Sequence, residues 1–250
     1  MKLKLIRNAT MKINYNGKTI LTDPMFSKKG SIRTFAGISP NPTVEMPLSI
    51  EEVLKDVDTV LVSHNHPDHL DEKAIETLPK EIKVFCQPVD EITIKENGFD
   101  NVTAVDNSVK FEGIEIIRVG GQHGKGEILS KMGQVSGFVL KAEKEPTVYW
   151  VGDSIWCSEI EKTIKTYKPD IIITHSGGAT IPGFPPILMD VNDTIKVLTE
   201  SSDAKVIAIH MEALDHCPVT RDKLLKEVTQ TDISVDRLII PKDGETILLA

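Results

Sequence analysis

The chain has 250 residues, 40% hydrophobic and 26% charged, and its 29 Lys and Arg against 37 Asp and Glu leave a net charge of −8. That composition suits one globular domain over residues 1–250 and excludes a disordered tail or a stapled mini-protein. No apolar run reaches the roughly 18 residues of a membrane span, Met1–Asn8 lacks the pattern of a signal peptide, and the chain has neither basic clusters nor many aromatic platforms for nucleic acid. We therefore expect a cytoplasmic protein with a small-molecule substrate, no membrane and no general nucleic-acid partner; a homo-oligomer stays open. Cys86, Cys157 and Cys217 are odd in number and form no C-x-x-C pair, so neither a disulfide framework nor a thiolate zinc site is indicated.

In chain order, Met11–Tyr15, Asn16-Gly17 and Lys18–Leu21 read as a hairpin, because Asn-Gly accepts the positive φ of a type I′ turn. Met25–Pro47, rich in Gly and Pro, reads as a long loop that could lie over a site. Thr59–Val62 is a strand feeding a loop and then a helix over Leu70–Leu78, with Leu70, Ala74, Ile75 and Leu78 on one face. A hairpin is expected at Glu112-Gly113, followed by the strand Glu115–Val119. Thr147–Val151 enters Gly152-Asp153 and a helix from Ser158, where Ser158 and Glu161 have capping-box spacing. The strand Asp170–Thr174, a helix over Val191–Ser201, the strand Lys205–Ile209, a helix over Arg221–Val228 and a last hairpin at Asp243-Gly244 complete the reading. Strand-rich openings followed by crossover helices in each half predict an α/β fold, two mixed sheets packed face to face with helices outside.

Six of seven histidines, His64, His66, His69, His123, His175 and His210, fall at or just after a predicted strand, where active sites of α/β proteins collect. The densest signal is Ser63-His64-Asn65-His66-Pro67-Asp68-His69. Residues i and i+2 of an extended segment project to one side, so His64 and His66 can reach one metal; beyond the turn at Pro67, Asp68 and His69 can address a second beside it. Later loops offer His123, His210 and the carboxylate of Asp153, which can bridge two cations. Taken singly, His123 and His210 could be hydrogen-bonded strand-end histidines and Asp153 a helix cap.

In this order, His64-x-His66-x-Asp68-His69, His123, Asp153 and His210 resemble the signature of the metallo-β-lactamase-fold hydrolases. The resemblance implies a four-layer αβ/βα sandwich, one metal on His64, His66 and His123, a second on Asp68, His69 and His210, and Asp153 bridging. Asp23-Pro24 is similar to an element of the compact branch that includes ascorbate-6-phosphate lactonase, which would make Asp23 the acceptor that orients a ligand histidine. An ordinary Asx-Pro turn is the alternative for Asp23. No cysteine matches the metal ligand of the best-known β-lactamases, which argues against antibiotic hydrolysis.

Five imidazoles, two carboxylates and two dications would leave a positive site, suited to a small anionic ester, lactone or phosphodiester attacked by water whose pKa the metals lower to roughly 7. Asp68 can take the proton of that water. The nitrogen and oxygen donors exclude a preference for soft metals but do not separate zinc, manganese and iron; zinc is the first choice, manganese, which the lactonase-like resemblance admits, the second, and iron the third. His175 could contact substrate or make a structural hydrogen bond, and His216 could line the pocket mouth or face solvent. Competing readings are a metal-binding sensor or scaffold without turnover, and an iron-dependent sulfur dioxygenase on the same fold.

Overall fold

The computed structural model describes residues 1–249. Asn16 and Gly17 both take positive φ, 49° and 74°, and β2 (Thr10–Tyr15) pairs antiparallel with β3 (Lys18–Thr22) across them, after β1 (Lys2–Arg7). Parallel strands then extend this first sheet: β4 (Thr59–Val62), β5 (Lys83–Cys86) and β6 (Val102–Ala104). A hairpin turned by Glu112 and Gly113 opens the second sheet with β7 (Ser108–Phe111) and β8 (Ile114–Gly120). It continues through β9 (Ser136–Lys141), β10 (Val148–Trp150), β11 (Ile171–His175), β12 (Lys205–Ile209) and β13 (Leu238–Ile239), and β14 (Thr246–Leu248) returns to the first. Each sheet has seven strands, ordered β14-β1-β2-β3-β4-β5-β6 and β13-β12-β11-β10-β9-β8-β7.

Strand alternation sorts the side chains into layers. Leu61 and Phe85 of the first sheet meet Phe138, Trp150, Ile171, Ile173 and Ile207 of the second in one apolar core between the sheets. The alternate residues Val60, Val62, Val84 and Cys86 pack under the helices α1 (Ile50–Leu54), α2 (Glu72–Thr77) and α3 (Glu91–Glu96). Past the short α4 (Leu129–Met132), Tyr149, Ile172, Val206 and Ala208 pack likewise under α5 (Ser158–Tyr167), α6 (Val191–Glu200) and α7 (Arg221–Val228). Helix, sheet, sheet, helix is the expected sandwich, with each buried aliphatic side chain contributing about 1.5–3 kcal/mol. Tyr15 ties the sheets together by donating its hydroxyl to Pro146 O (2.8 Å) and Leu140 O (3.1 Å). No helix among the described residues is long and apolar enough to cross a membrane.

Three expectations need correction. Asp243-Gly244 turns no hairpin: β13 pairs with β12 and β14 with β1, so the chain crosses between sheets there. At α5, Cys157 is the N-cap with no side-chain capping bond, and Ser158 hydrogen-bonds Glu159 instead. The helix expected over Leu70–Leu78 begins at Glu72, because Asp71 accepts from the Ala74 N–H and sets the start. Asp190, by contrast, caps α6 through Asp193 N.

The strands β3 and β4 run parallel in one sheet, as do β10, β11 and β12 in the other, with β8 antiparallel to β9 and β9 to β10. All six of β3, β4, β8, β10, β11 and β12 therefore deliver their C-terminal ends to one edge of the sandwich, where the site lies.

Candidate metal centre

Behind the histidine loop, at the end of β3, Asp23 is fully buried. Its Oδ1 accepts from Ser63 N (2.7 Å), and its Oδ2 accepts from Ser63 Oγ (2.8 Å) and lies 3.1 Å from His69 Nδ1. Both carboxylate oxygens thus face the histidine loop from a left-handed backbone with φ of 39°. Asn8 braces the same loop by donating to Asp68 O (3.0 Å).

The loop and the later strand ends bring His64, His66, Asp68, His69, His123, Asp153 and His210 into one cluster. His64, His66 and His123 present nitrogens within 4.8 Å of one another, and so do the ligating atoms of His69, Asp153, His175 and His210. Asp153 sits between the groups. Its Oδ2 is 3.2 Å from His69 Nε2, 3.6 Å from His123 Nε2 and 3.9 Å from His64 Nε2, while its Oδ1 is 3.7 Å from His210 Nε2. Asp68 Oδ2 lies 3.3 Å from His210 Nε2 and 3.6 Å from His69 Nε2.

Most of these separations are long for hydrogen bonds, but they suit donors that share a small cation: ligands about 2.0–2.1 Å from a tetrahedral ion lie roughly 3.3 Å apart. A second observation agrees. Nε2 of His69 and of His210 are buried and without a hydrogen-bond partner, a costly state for a polar atom that no ion or water completes. The other ring nitrogens are engaged: His64 Nδ1 with Ser63 Oγ (3.1 Å), His123 Nδ1 with Ile187 O (2.8 Å), His69 Nδ1 with Asp23, and His210 Nδ1 with Cys217 Sγ (3.7 Å). Because a carbonyl only accepts, His123 carries its proton on Nδ1 and offers Nε2 to the cluster.

Charge in the metal-free site follows from burial and proximity. Burial lowers His64 well below the usual imidazole value and His123 to about 4. Burial opposes the charge on His69 too, but Asp153, Asp68 and Asp23 outweigh it and raise the group to about 10; His210 is raised against its burial by Asp153 and Asp68. Asp68 and Asp153 are held well below the ordinary carboxylate range, burial being outweighed by His69 and His210. Protons here do part of the work that cations would do.

His175 takes neither a solvent-facing nor a cavity-lining place. It is fully buried, donates from Nδ1 to Asp153 Oδ1 (2.7 Å), stacks on His69 and His210 and meets Trp150 edge-on. It thus fixes the carboxylate between the two groups. His216 lines a cavity of about 390 Å³ over Asp68, His66 and His123, whose other walls include Phe35, Met132 and Ile181. Residues of the long loop Met25–Pro47 and of the stretch after Gly178 therefore shape the pocket. Sequence reasoning missed Ser63 as a hydrogen-bonding partner and missed Asp215, whose carboxylate holds the loop at Thr34–Ser39; no local pattern announces a partner so far away in the chain.

Comparison with known proteins identifies the fold and the family. Residues 18–211 match the family described as "Beta-lactamase superfamily domain". The chain is 37% identical over 252 residues to the UPF0173 protein YddR of Bacillus subtilis, spanning 98% of this chain and 99% of that one. It superposes with a TM-score of 0.96, at 34% identity, on a possible metal-dependent hydrolase from Veillonella parvula, covering 100% of this chain and 99% of the other. An isothiocyanate hydrolase from Delia radicum gut bacteria gives a TM-score of 0.93, also at 34% identity, with the same coverage. The chain belongs to the UPF0173 family of metal-dependent hydrolases, on the metallo-β-lactamase fold.

Proposed function

We propose that this chain is a binuclear metal-dependent hydrolase that brings water to a small electrophile bound under the Met25–Pro47 loop. The observation that carries this reading is the placement of Asp153, whose carboxylate stands between the His64, His66, His123 group and the Asp68, His69, His210 group. Divalent cations, with zinc the first choice, manganese the second and iron the third among the metals this nitrogen and oxygen donor set admits, would supply acidified water and polarisation of the attacked atom. The chain's own residues do the rest. Asp23, Ile187 O and His175 fix the orientation of His69, His123 and Asp153. Asp68, which borders the cavity, is placed to take the proton of the attacking water and pass it to the leaving group.

The substrate must fit about 390 Å³ and lie against Phe35, Met132 and Ile181. A small ester, lactone or phosphodiester meets these limits, and the positive centre favours an anionic one. A second reading has its own support: the apolar wall and the 34% identity to an isothiocyanate hydrolase favour an isothiocyanate, whose central carbon is also open to water. Metal-loaded protein and the His64→Ala/His66→Ala variant, assayed against lactones, phosphodiesters, thioesters and isothiocyanates, test the proposal. Turnover of one class, lost in the variant, supports it. Oxygen consumption without hydrolysis would favour the dioxygenase reading, and metal without turnover the sensor.

A further inference from the structure

The segment Arg33–Ser39 contributes Arg33, Thr34 and Phe35 to the cavity wall, and one carboxylate from far along the chain gathers most of its backbone N–H groups. Asp215 accepts from the backbone N–H of Phe35 (3.0 Å), Ala36 (3.1 Å), Ile38 (3.1 Å) and Ser39 (3.4 Å), from the Thr34 hydroxyl and from Asn41 Nδ2 (2.9 Å). Its own N–H donates to Asn41 Oδ1 (2.8 Å), closing a two-way clasp. One step further, Thr43 donates its N–H to Ala213 O (2.8 Å) and its hydroxyl to Glu212 O (2.7 Å). A carboxylate wrapped by successive backbone N–H groups is an anion nest, and it fixes the loop in one shape.

What the clasp positions is a pair of rings. Phe35 and His216 meet edge-on with centroids 5.1 Å apart, and both line the cavity. His216 is nine-tenths buried and lines the cavity, yet neither of its ring nitrogens has a hydrogen-bond partner among the described residues, and Nδ1 is fully enclosed. Around it stand Asp68, Asp153, Asp215 and His210. A buried imidazole left unpartnered beside an apolar wall is suited to a ligand that brings both chemistries.

We propose that Phe35 and His216 select the substrate, Phe35 packing on an apolar group and His216 Nε2 hydrogen-bonding a polar atom near the electrophile, and that Asp215 is the positioning residue that holds them. This rests on the reading of the cavity as the hydrolytic site. It narrows the substrate to a small molecule with an apolar substituent beside its electrophilic centre.

The test uses the metal-loaded full chain and two probe pairs, methyl and phenethyl isothiocyanate, and p-nitrophenyl acetate and hexanoate. Asp215→Ala, Phe35→Ala, His216→Ala and His216→Gln are compared for the ratio of kcat/KM within each pair and for metal content. Trypsin cleavage after Arg33, read by mass spectrometry, reports the clasp without any turnover. We expect Asp215→Ala to keep its metal, to be cut after Arg33 where the wild type resists, and to lose about tenfold of its preference for the larger probe, as Phe35→Ala also does. His216→Ala should raise KM about tenfold and His216→Gln should recover most of it. Resistance at Arg33 in Asp215→Ala overturns the clasp. An active wild type whose probe preference survives every variant, or a wild type inactive on all four probes yet active on a lactone, phosphodiester or thioester, overturns the selection alone, whereas a wild type inactive on all of these overturns the hydrolytic reading together with the selection built on it.

Discussion

Replacing Asp23 by asparagine keeps the shape of the side chain and changes one hydrogen-bonding atom. The amide oxygen can still accept from Ser63 N, as Oδ1 does at 2.7 Å, but the NH₂ group would take the place of Oδ2, which lies 2.8 Å from Ser63 Oγ and 3.1 Å from His69 Nδ1. Two donors cannot face each other, so His69 must move its proton from Nδ1 to Nε2. Nε2 is the nitrogen aimed into the cluster, 3.2 Å from Asp153 Oδ2 and 3.6 Å from Asp68 Oδ2. A cation needs that nitrogen bare, which would return the ring's one remaining proton to Nδ1, facing the amide NH₂ with no carboxylate behind the ring to accept it. Loss of such a partner lowers metal affinity about 10–100-fold, or about 1.4–2.7 kcal/mol. The loss should be largest for the ion held with His69 and smaller for its neighbour, because His123 is held independently by Ile187 O whereas His64 leans on Ser63 Oγ, which itself bonds Asp23. Titration of apoprotein against a chromophoric chelator gives the two affinities separately, and melting in EDTA shows whether the variant still folds. A folded Asp23→Asn protein whose two affinities stay within about twofold of wild type would refute this account of Asp23.

Further consequences follow from the same geometry. A Cβ at Gly177 would stand 2.1 Å from His210 O and 2.9 Å from Cys217 Sγ, so Gly177→Ala should cost about 1–3 kcal/mol and release metal by pushing His210 aside; wild-type melting and wild-type metal content would contradict this. His175→Phe keeps the ring but removes the donor to Asp153, and should weaken metal binding about 10–100-fold with little loss of fold, measured by the same chelator titration. In the apoprotein His69 is raised to about 10, so at pH 7 it holds a proton that metal must expel. Calorimetry in buffers of different ionisation enthalpy should therefore show proton release on loading, and metal affinity should rise with pH. The sign for stability is the reverse: the raised group stabilises apoprotein fully below the ordinary imidazole range, and that contribution fades as the pH climbs towards about 10. Loading without proton release would contradict the assignment.

Much of this was legible in the residues themselves. Asn16-Gly17 specifies its turn locally, and runs such as Lys205–Ile209 and Arg221–Val228 carry enough periodicity to give their own boundaries. The histidine loop was legible for a different reason: His64, His66, Asp68 and His69 are near in sequence, so their spacing already limits where their side chains can meet. Asp243-Gly244 shows the limit. Turn chemistry tells that the chain bends but not which strand receives it, and here the flanking strands join opposite sheets. The Ser158 and Glu161 spacing failed similarly, since the extended Cys157 already occupies the cap position. His175 and Asp153 are 22 residues apart, and Asp215 reaches partners 174–181 residues away. Such pairings are made by the packing of two sheets and leave no periodic trace.

Metal stoichiometry at saturation, measured by native mass spectrometry on the wild type beside His64→Ala/His66→Ala, tests the central claim most directly. Two divalent ions per wild-type chain and at most one in the variant are expected, because the two substitutions leave His123 without its partners while Asp68, His69, Asp153 and His210 remain. A wild type that takes up no more than one ion, with uptake unchanged in the variant, would contradict it.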